Sequence, residues 1–174
     1  TLVWAVSALC LVTQFRGLQY KVPSSVNKVL FSGELMPVKY LLQWQKALPE
    51  ARFVNLYGPT EITCNCTYYK IERAFSPEEQ IPMGRPFPNE KVFLLDEDGS
   101  EITAPGKSGE VCVSGTAVGI GYYSNPSQTE KCFVQNPLNP MYPERIYRTG
   151  DLACYNADGD LCFAGRRDFQ IKFM

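Results

Sequence analysis

The chain has 174 residues and a formal net charge of −1, because 18 acidic residues nearly balance 17 basic residues. A near-neutral chain lacks the broad positive field that proteins use to bind nucleic acid, so nucleic acid is not expected among its partners. The absence of histidine excludes a histidine general base and would leave a zinc site with thiolates alone. The seven cysteines form no CxxC pair, which favours reduced thiols in a cytoplasmic protein.

The N-terminal run TLVWAVSALCLVTQF (1–15) is apolar. It lacks the basic segment and cleavage site of a signal peptide, and it is too short and too interrupted to span a bilayer. We therefore predict a buried strand that leads into a buried helix from Ser7, without membrane association. Because the chain begins at Thr1 and ends at Met174 directly after an apolar run, both ends are expected to continue in a longer protein.

The next segment predicts an α/β unit. KVLF (28–31) is typical of a strand and runs into SGE, and ARFVNL (51–56) is a second such run that leads into YGPTE. Between them, Pro37 suits the first turn of a helix and Pro49 ends it. The helical spacing predicts one apolar face, formed by Val38, Leu41, Leu42, Gln45 and Leu48. If the strands are parallel, both glycine turns lie at the carboxyl edge of the sheet, where ligands bind in open α/β folds.

After residue 80 the pattern changes to short strands separated by turn signals. Strands are predicted at 91–95, at 109–115, in a hairpin over 153–165 around Asp158-Gly159, and at 169–173. Such a series is typical of a small barrel or sandwich. We therefore expect residues 1–80 to form a partial α/β subdomain and residues 81–167 a β-rich, barrel-like subdomain. Residues 168–174 would form a hinge and the start of a further domain.

The stretch NLYGPTEIT (55–63) contains the first group of candidate site residues. Gly58 would let the backbone approach a ligand, and Pro59 would fix the turn. Tyr57 offers a flat face to a base, and Thr60 offers a hydroxyl to a phosphate oxygen. Glu61 could hold magnesium, which prefers few carboxylates together with substrate phosphates. The alternative is a tight turn with exposed polar side chains.

Two further stretches hold candidate groups. In YRTGDL (147–152), the Asp151 carboxylate follows a glycine turn and could accept both hydroxyls of a ribose. In GRRDFQIK (165–172), Arg166 could meet a phosphate or ribose oxygen. Taken singly, each stretch could equally be an ordinary surface turn.

These stretches, together with SGE (32–34), MGRPFPN (83–89) and GEVCVSGTAVGIGYYSNPSQTEKCF (109–133), resemble the adenylate-forming, or AMP-binding, enzymes. The similarity is greatest to the amino-acid adenylation domains of nonribosomal peptide synthetases and to D-alanine–carrier-protein ligases. It covers nearly the whole chain in the family's order. The resemblance implies an α/β fragment of the family's large N-terminal domain, in which a parallel α/β piece precedes a β-barrel-like lobe.

The resemblance also implies roles for individual residues. Tyr57 would stack on adenine, Asp151 would hold the ribose hydroxyls, and Asp168 would be the hinge of a C-terminal domain. Thr60 and Glu61 would be the catalytic residues, with Glu61 binding Mg²⁺. The ATP site would be lined by Gly33, Glu34, Asn55, Leu56, Tyr57, Gly58, Pro59, Thr60, Asp151, Phe163, Gly165 and Arg166. The pocket for the substrate acid would be lined by Val3, Leu30, Ser32, Leu56 and Cys64.

The activity implied is that of an ATP-dependent ligase. It would activate an amino acid or other small carboxylic acid as the adenylate, release pyrophosphate, and pass the acyl group to a phosphopantetheine thiol of a carrier protein. The substrate carboxylate is already ionised, so positioning and charge stabilisation suffice without a general base. The alternatives are an acyl-CoA or aryl-acid ligase of the same superfamily and a non-catalytic nucleotide-binding module.

Several family features have no counterpart in the sequence. These are the Ser/Thr/Gly-rich phosphate loop, the upstream aspartate that binds a substrate amino group, and the lysine of the C-terminal domain. The isolated chain is therefore expected to be inactive. D-alanine ligases commonly have cysteine where this chain has Ser32, which weakens a D-alanine assignment. Cys64 could instead be a small apolar residue that packs a strand.

Overall fold

The computed structural model describes residues 1–167. The predicted hinge at Asp168 and the predicted strand at 169–173 lie outside this range. The described residues form two sheets that follow one another along the chain. The first sheet consists of β1 (Leu2–Ala5), β2 (Lys28–Ser32), β3 (Arg52–Tyr57), β4 (Thr67–Lys70) and β5 (Arg85–Pro86), in that spatial order.

The first three strands are parallel, and β4 and β5 are added antiparallel. The parallel pairing of β2 with β3 confirms that the turns after Ser32 and after Tyr57 lie on the same edge of the sheet. The strands predicted at 28–31 and 51–56 are confirmed, each within one residue at either end. The sheet therefore presents both glycine turns to the same side of the molecule.

The helices of this half are α1 (Val6–Gln14), α2 (Gly17–Tyr20) and α3 (Val38–Ala47). The predicted helix after Pro37 is confirmed, but its apolar face differs, because Trp44 is buried while Leu42 is exposed. The indole Nε1 of Trp44 donates to the carbonyl of Leu9 at 3.1 Å, so a buried donor is satisfied while α3 packs on α1. Within residues 1–167, no helix combines the length and the apolar character needed to cross a bilayer.

The strand predicted at the N-terminus is present, but the prediction that it is buried is wrong. A strand and a helix do follow one another, but Val3 and Trp4 are 63% and 41% exposed. Val3 lies on the face of the sheet opposite the core, in register with Leu30, whereas Trp4 lies on the core face but at the edge of the described sheet, where β1 pairs only with β2. Burial begins in α1, whose inward face contains Val6, Leu9 and Thr13.

The second sheet has the spatial order β11-β10-β8-β6-β7, and β9 pairs with β10. All of these pairings are antiparallel. The Asp-Gly hairpin that joins its last two strands is confirmed. The elements are β6 (Glu90–Leu95), β7 (Glu101–Ile102), β8 (Ser108–Gly115), α4 (Pro126–Cys132), β9 (Phe133–Gln135), β10 (Arg145–Tyr155) and β11 (Leu161–Arg166). The predicted fold class, a parallel α/β piece followed by a β-rich lobe, is confirmed.

The two sheets meet at Gly84. Its carbonyl accepts the N–H of Leu161 at 2.9 Å, and the N–H of the adjacent Met83 donates to the Leu161 carbonyl at 2.7 Å. The core of the second sheet also includes Ile62 and Cys66, which come from the loop after β3. This seam holds the end of β3 against β10 and β11, where the remaining candidate residues lie.

Candidate functional site

The loop that follows β3 is compact and supported by its own backbone. After Tyr57 the chain passes through a 3₁₀ turn (Thr60–Ile62), and the N–H of Cys66 returns to the Tyr57 carbonyl at 2.8 Å. A Cβ on Gly58 would lie 2.5 Å from Cα of Asn65. Glycine is therefore required here by the packing of the loop itself, whether or not a ligand approaches the backbone.

Two of the predicted nucleotide residues, Tyr57 and Arg166, contact the buried carboxylate of a third, Asp151. Asp151 in β10 is 2% exposed. Its Oδ2 accepts a hydrogen bond from the Tyr57 hydroxyl at 2.6 Å, and its Oδ1 accepts one from Nη1 of Arg166 at 2.6 Å. Residues from β3, β10 and β11 thus meet at a single point, although Tyr57 and Asp151 lie 94 positions apart in the chain.

Burial raises the pKa of the Tyr57 hydroxyl well above its ordinary value, and the charge of Asp151 raises it further. The phenol therefore keeps its proton throughout the physiological range and acts as the donor in this pair. A carboxylate oxygen has room for more than one hydrogen bond. Asp151 can consequently accept further hydroxyl groups beside its two protein partners.

Glu61 is held by the second lobe. The Tyr122 hydroxyl donates to Oε1 of Glu61 at 2.6 Å, and the N–H of Gly119 donates to the Glu61 carbonyl at 2.8 Å. Burial, followed by the hydrogen bond to Glu61, raises the pKa of Tyr122 to about 12. Tyr122 is not among the site residues predicted from the sequence, although it lies in the GIGYY segment of a family-like stretch.

The residues around Glu61 fit a magnesium ion that is held mainly by a substrate. In the described part of the chain, no three or more Cys, Asp or Glu side chains gather into a metal cage. A single carboxylate is nevertheless typical of Mg²⁺ sites in which phosphate oxygens and water supply the remaining ligands. The Glu61 carboxylate, oriented by Tyr122, has the donor chemistry for such a site.

A cleft of about 930 Å³ opens beside these residues. It lies against Glu61, Tyr122, Tyr147, Thr149 and Arg166. Its lining also includes the cations Lys131, Arg148 and Arg167 and the carboxylate of Glu110. The excess of positive charge makes the cleft suitable for an anionic group such as a phosphate chain.

The other predicted nucleotide residues occupy varied positions. Gly33 and Glu34 form the turn after β2, where Gly33 has a left-handed φ of 95°. Asn55 is buried, and its Nδ2 donates to the Pro82 carbonyl at 2.8 Å, so its amide also supports the segment before β5. Thr60 is exposed in the 3₁₀ turn. The residues in β11 are Phe163, which packs against the core of the second sheet, and Gly165.

Four of the five residues predicted for the acid pocket share one face of the first sheet. Val3 and Leu30 are direct partners in register, and Leu30 also pairs with Val54. Because side chains alternate along a strand, Ser32 and Leu56 lie on this same face, opposite the core residues of β2 and β3. The fifth, Cys64, is exposed in the loop with a φ of 89°. The alternative that Cys64 packs a strand is therefore wrong.

Comparison with curated proteins finds relatives among large peptide synthetases. The chain is 36% identical over 149 residues to surfactin synthase subunit 1 of Bacillus subtilis (strain 168). The match covers 86% of this chain and 4% of that protein. The chain thus spans a small part of the length of the relatives that it matches.

Solved structures agree with the fold. The nonribosomal peptide synthetase protein PA1221, solved in its holo form with adenylation and PCP domains bound to a vinylsulfonamide inhibitor, is 31% identical with a TM-score of 0.87. The match covers 97% of this chain and 29% of that one. The Vibrio cholerae adenylation domain AlmE, solved with glycyl-adenosine-5'-phosphate, is 30% identical with a TM-score of 0.84, over 98% of this chain and 32% of that one. Residues 2–123 match the sequence model described as AMP-binding enzyme, and the chain belongs to this family.

Proposed function

We propose that this chain is the nucleotide-binding part of an ATP-dependent, AMP-forming ligase that activates an amino acid. The product would be an aminoacyl-adenylate, formed with release of pyrophosphate. The aminoacyl group would then pass to the phosphopantetheine thiol of a carrier protein. Membership of the AMP-binding family supports the adenylating chemistry, and the relatives among peptide synthetases support an amino acid as the acid.

The observation on which this proposal rests is the convergence at Asp151. Tyr57 and Arg166 both contact this buried carboxylate at 2.6 Å. In the proposed complex Asp151 accepts the ribose hydroxyls, Arg166 stabilises the carboxylate and approaches the nucleotide, and the Tyr57 ring stacks on adenine. Gly33 and Glu34, at the same sheet edge, would lie along the other side of the base.

The phosphates would lie towards the loop after β3 and the adjoining cleft. Thr60 is exposed and can donate its hydroxyl to a phosphate oxygen. Glu61 would hold Mg²⁺, which supplies positive charge to the phosphate oxygens when bound. The cations that line the cleft would stabilise the charge of the departing pyrophosphate. No side chain needs to remove a proton, because the substrate carboxylate is ionised at neutral pH.

The substrate acid would bind near the sheet face formed by Val3, Leu30, Ser32 and Leu56, with Cys64 on the adjoining loop. The comparison structure of AlmE contains glycyl-adenosine-5'-phosphate, the adenylate of an amino acid, which supports an amino acid here. The PCP domain of PA1221 supports a carrier protein as the acceptor. The hinge would be Asp168.

The test is ATP–pyrophosphate exchange by the intact protein with a panel of amino acids, aryl acids and fatty acids. We expect exchange with at least one amino acid and a large loss of rate in Asp151→Asn and Glu61→Gln. Exchange with aryl or fatty acids alone would instead identify an aryl-acid or acyl-CoA ligase. A protein that binds no ATP in the presence of Mg²⁺ would contradict the catalytic proposal.

The 174-residue chain alone should be assayed beside the intact protein. We expect it to support no exchange, because its sequence lacks the phosphate loop and the lysine that the family uses. Robust exchange by the isolated chain would contradict this expectation. Nucleotide binding without exchange by the intact protein would favour a non-catalytic nucleotide-binding module.

A further inference from the structure

The strand that presents Asp151 is interrupted by a bulge. Arg148 of β10 pairs with Cys112 of β8, and Leu152 pairs with Glu110. Residues 149–151 of β10 therefore lie opposite Val111 alone. A bulge of this kind re-aims the side chains that it contains, and this one presents Asp151 towards Tyr57 and Arg166. Gly150, at its centre, has a left-handed φ of 73°.

Glu110 supports this bulge. Its Oε1 accepts the N–H of Gly150 at 3.1 Å, a donor that lies where the regular pairing of β8 and β10 is broken. Its Oε2 accepts from Nε of Arg148 at 3.0 Å and from Nη1 of Arg167 at 3.2 Å. The residue is 6% exposed, and these charge-assisted bonds compensate the cost of burying the carboxylate.

The bonds made by Glu110 act on both sides of Asp151. On one side, Glu110 holds the backbone of Gly150, the residue immediately before Asp151. On the other, it holds Arg167, whose own N–H donates to the Gly150 carbonyl at 2.8 Å. Arg167 is adjacent to Arg166, which contacts Asp151 at 2.6 Å. The carboxylate and its arginine partner are thus both tied to one buried acid.

Further bonds leave the bulge little freedom to adopt another conformation. The Thr149 hydroxyl donates to the Val111 carbonyl at 2.9 Å and accepts the N–H of Asp151 at 3.0 Å. These bonds position the main chain on either side of Gly150, while Glu110 positions Gly150 itself. Removing the charge of Glu110 would leave two arginines and one backbone donor with a weaker acceptor.

We propose that Glu110 is a positioning residue that sets the orientation of the Asp151 carboxylate towards the ribose of the nucleotide. This inference rests on the proposed function, because it assumes that Asp151 accepts the ribose hydroxyls. Glu110 would act on the ribose through Asp151. Its loss would reduce the contribution of the ribose hydroxyls to nucleotide binding. Because Arg148 and Arg167 also line the cleft, any change in the phosphate contacts would affect ATP and the deoxy nucleotides alike.

The test compares ATP with 2′-deoxy-ATP and 3′-deoxy-ATP in pyrophosphate exchange by the intact protein. The wild type should show a higher KM for both deoxy nucleotides. In Glu110→Gln we expect the KM for ATP to rise about tenfold or more, the scale of a lost charge-assisted hydrogen bond. The KM for each deoxy nucleotide should rise less. The nucleotide ratio, defined as the KM for a deoxy nucleotide divided by the KM for ATP, should therefore fall towards one. A general structural defect would lower the rates with all three nucleotides alike and leave the ratio unchanged.

Glu144→Gln is the matched control. Glu144 is also a hydrogen-bonded carboxylate beside β8 and β10, and it accepts from Ser114 and Asn139, away from Asp151. Its replacement should leave the nucleotide ratio at the wild-type value. Glu110→Asp, which keeps the charge but shortens the side chain, should shift the ratio in the same direction as Glu110→Gln by a smaller factor.

Three outcomes would overturn the inference while leaving the proposed adenylating activity intact, although the second would also remove the ribose contact proposed for Asp151. The first is a folded Glu110→Gln protein with the wild-type ratio. The second is a wild type that uses the deoxy nucleotides as well as ATP. The third is failure of both Glu110 variants to fold, which would assign the residue to folding alone. If the wild type instead supports no exchange with any acid, the proposed function itself fails.

Discussion

The hydroxyl of Tyr57 donates a hydrogen bond to Oδ2 of Asp151 across 2.6 Å, and this contact joins the two sheets of the molecule. Tyr57 ends β3 of the first sheet, whereas Asp151 lies in a bulge of β10 in the second. Asp151 is 2% exposed, and Tyr57 is half-buried. The proposed adenine-stacking residue and the proposed ribose-binding residue are therefore positioned by each other.

Replacing Tyr57 with phenylalanine should separate these two roles. Tyr57→Phe removes the hydroxyl but keeps the aromatic ring. We expect the free energy of unfolding to fall by about 1.5–3 kcal/mol, the range for a lost hydrogen bond to a charged group. The KM for ATP should rise much less than in Asp151→Asn, because stacking is retained.

Urea denaturation and pyrophosphate exchange measure these two effects. Tyr155→Phe is the matched control, since Tyr155 also packs against the core of the second sheet but pairs with Leu161, four residues along β10 from Asp151. If Tyr57→Phe is as stable as the wild type, the hydrogen bond between Tyr57 and Asp151 does not stabilise the packing of the two sheets. A KM as high as that of Asp151→Asn would show that the hydroxyl, rather than the ring, serves the nucleotide.

A second prediction concerns the seam at Gly84. A Cβ on this residue would lie 2.0 Å from the backbone oxygen of Tyr68, and the φ of Gly84 is 86°. Gly84→Ala should therefore displace β4 or break the backbone bonds to Leu161. Gly106→Ala is the matched control, because Gly106 has a similar φ of 77° but no described atom within 4 Å of its Cβ position.

Both substitutions introduce the same strain from a positive φ, so their difference isolates the steric contact. We expect Gly84→Ala to be destabilised by at least about 2 kcal/mol more than Gly106→Ala, as for overpacked core positions. The midpoints of chemical denaturation measure this difference. Equal losses in the two variants would mean that the seam relaxes around the added methyl group.

Local patterns in the sequence were sufficient to predict the strands, helix and turn whose formation depends on residues close together in the chain. The strand, helix and strand over 28–56 follow from period and from glycine and proline signals, and the Asp158-Gly159 hairpin follows from its turn residues. Burial was harder to predict. The residues of β1 are as apolar as a core strand, yet Val3 is exposed because it lies on the face of the sheet opposite the core.

In the candidate site, too, local sequence predicted some features, whereas others depend on the tertiary structure. The motif residues Tyr57, Asp151 and Arg166 could be chosen from the sequence by their chemistry and by resemblance. Their mutual contacts could not, because they depend on the pairing of strands far apart in the chain. The bulge of β10 is one example, because it is defined only by the pairing of β10 with β8. The positioning role proposed for Glu110 depends on this bulge and therefore could not be predicted from the sequence.

A third prediction concerns the Tyr122 hydroxyl, which donates to Glu61. Tyr122→Phe should leave the Glu61 carboxylate less well oriented for Mg²⁺. We expect the magnesium concentration for half-maximal exchange to rise by about three- to tenfold, as expected for the loss of one hydrogen bond. Tyr20→Phe, at a side chain in α2 that is 93% exposed and does not line the cleft, is the control. Identical magnesium curves for Tyr122→Phe and the wild type would argue against a role of Glu61 in holding the ion.

The last prediction concerns alkaline pH. Burial raises the pKa of the Cys66 thiol, and that of the Cys112 thiol, from 9.0 to about 12. Above pH 9 these thiols ionise in the unfolded chain but remain protonated in the folded protein. The unfolded state therefore binds fewer protons, and the stability contributed by each thiol is lost as the pH rises from about 9 to about 12. The loss has a limiting slope of about 1.4 kcal/mol per pH unit and per thiol.

Urea denaturation of the reduced protein at pH 8, 9 and 10 would measure this slope. Cys66→Ala lowers stability at pH 8 because it leaves a cavity, but it removes one of the two thiols. The stability gap between the wild type and Cys66→Ala should therefore narrow as the pH rises above 9. Val113→Ala, which also leaves a cavity in this core but removes no thiol, should keep a constant gap. A stability gap that also stays constant for Cys66→Ala would contradict the raised pKa of Cys66. It would mean that this thiol ionises in the folded protein as readily as in the unfolded chain.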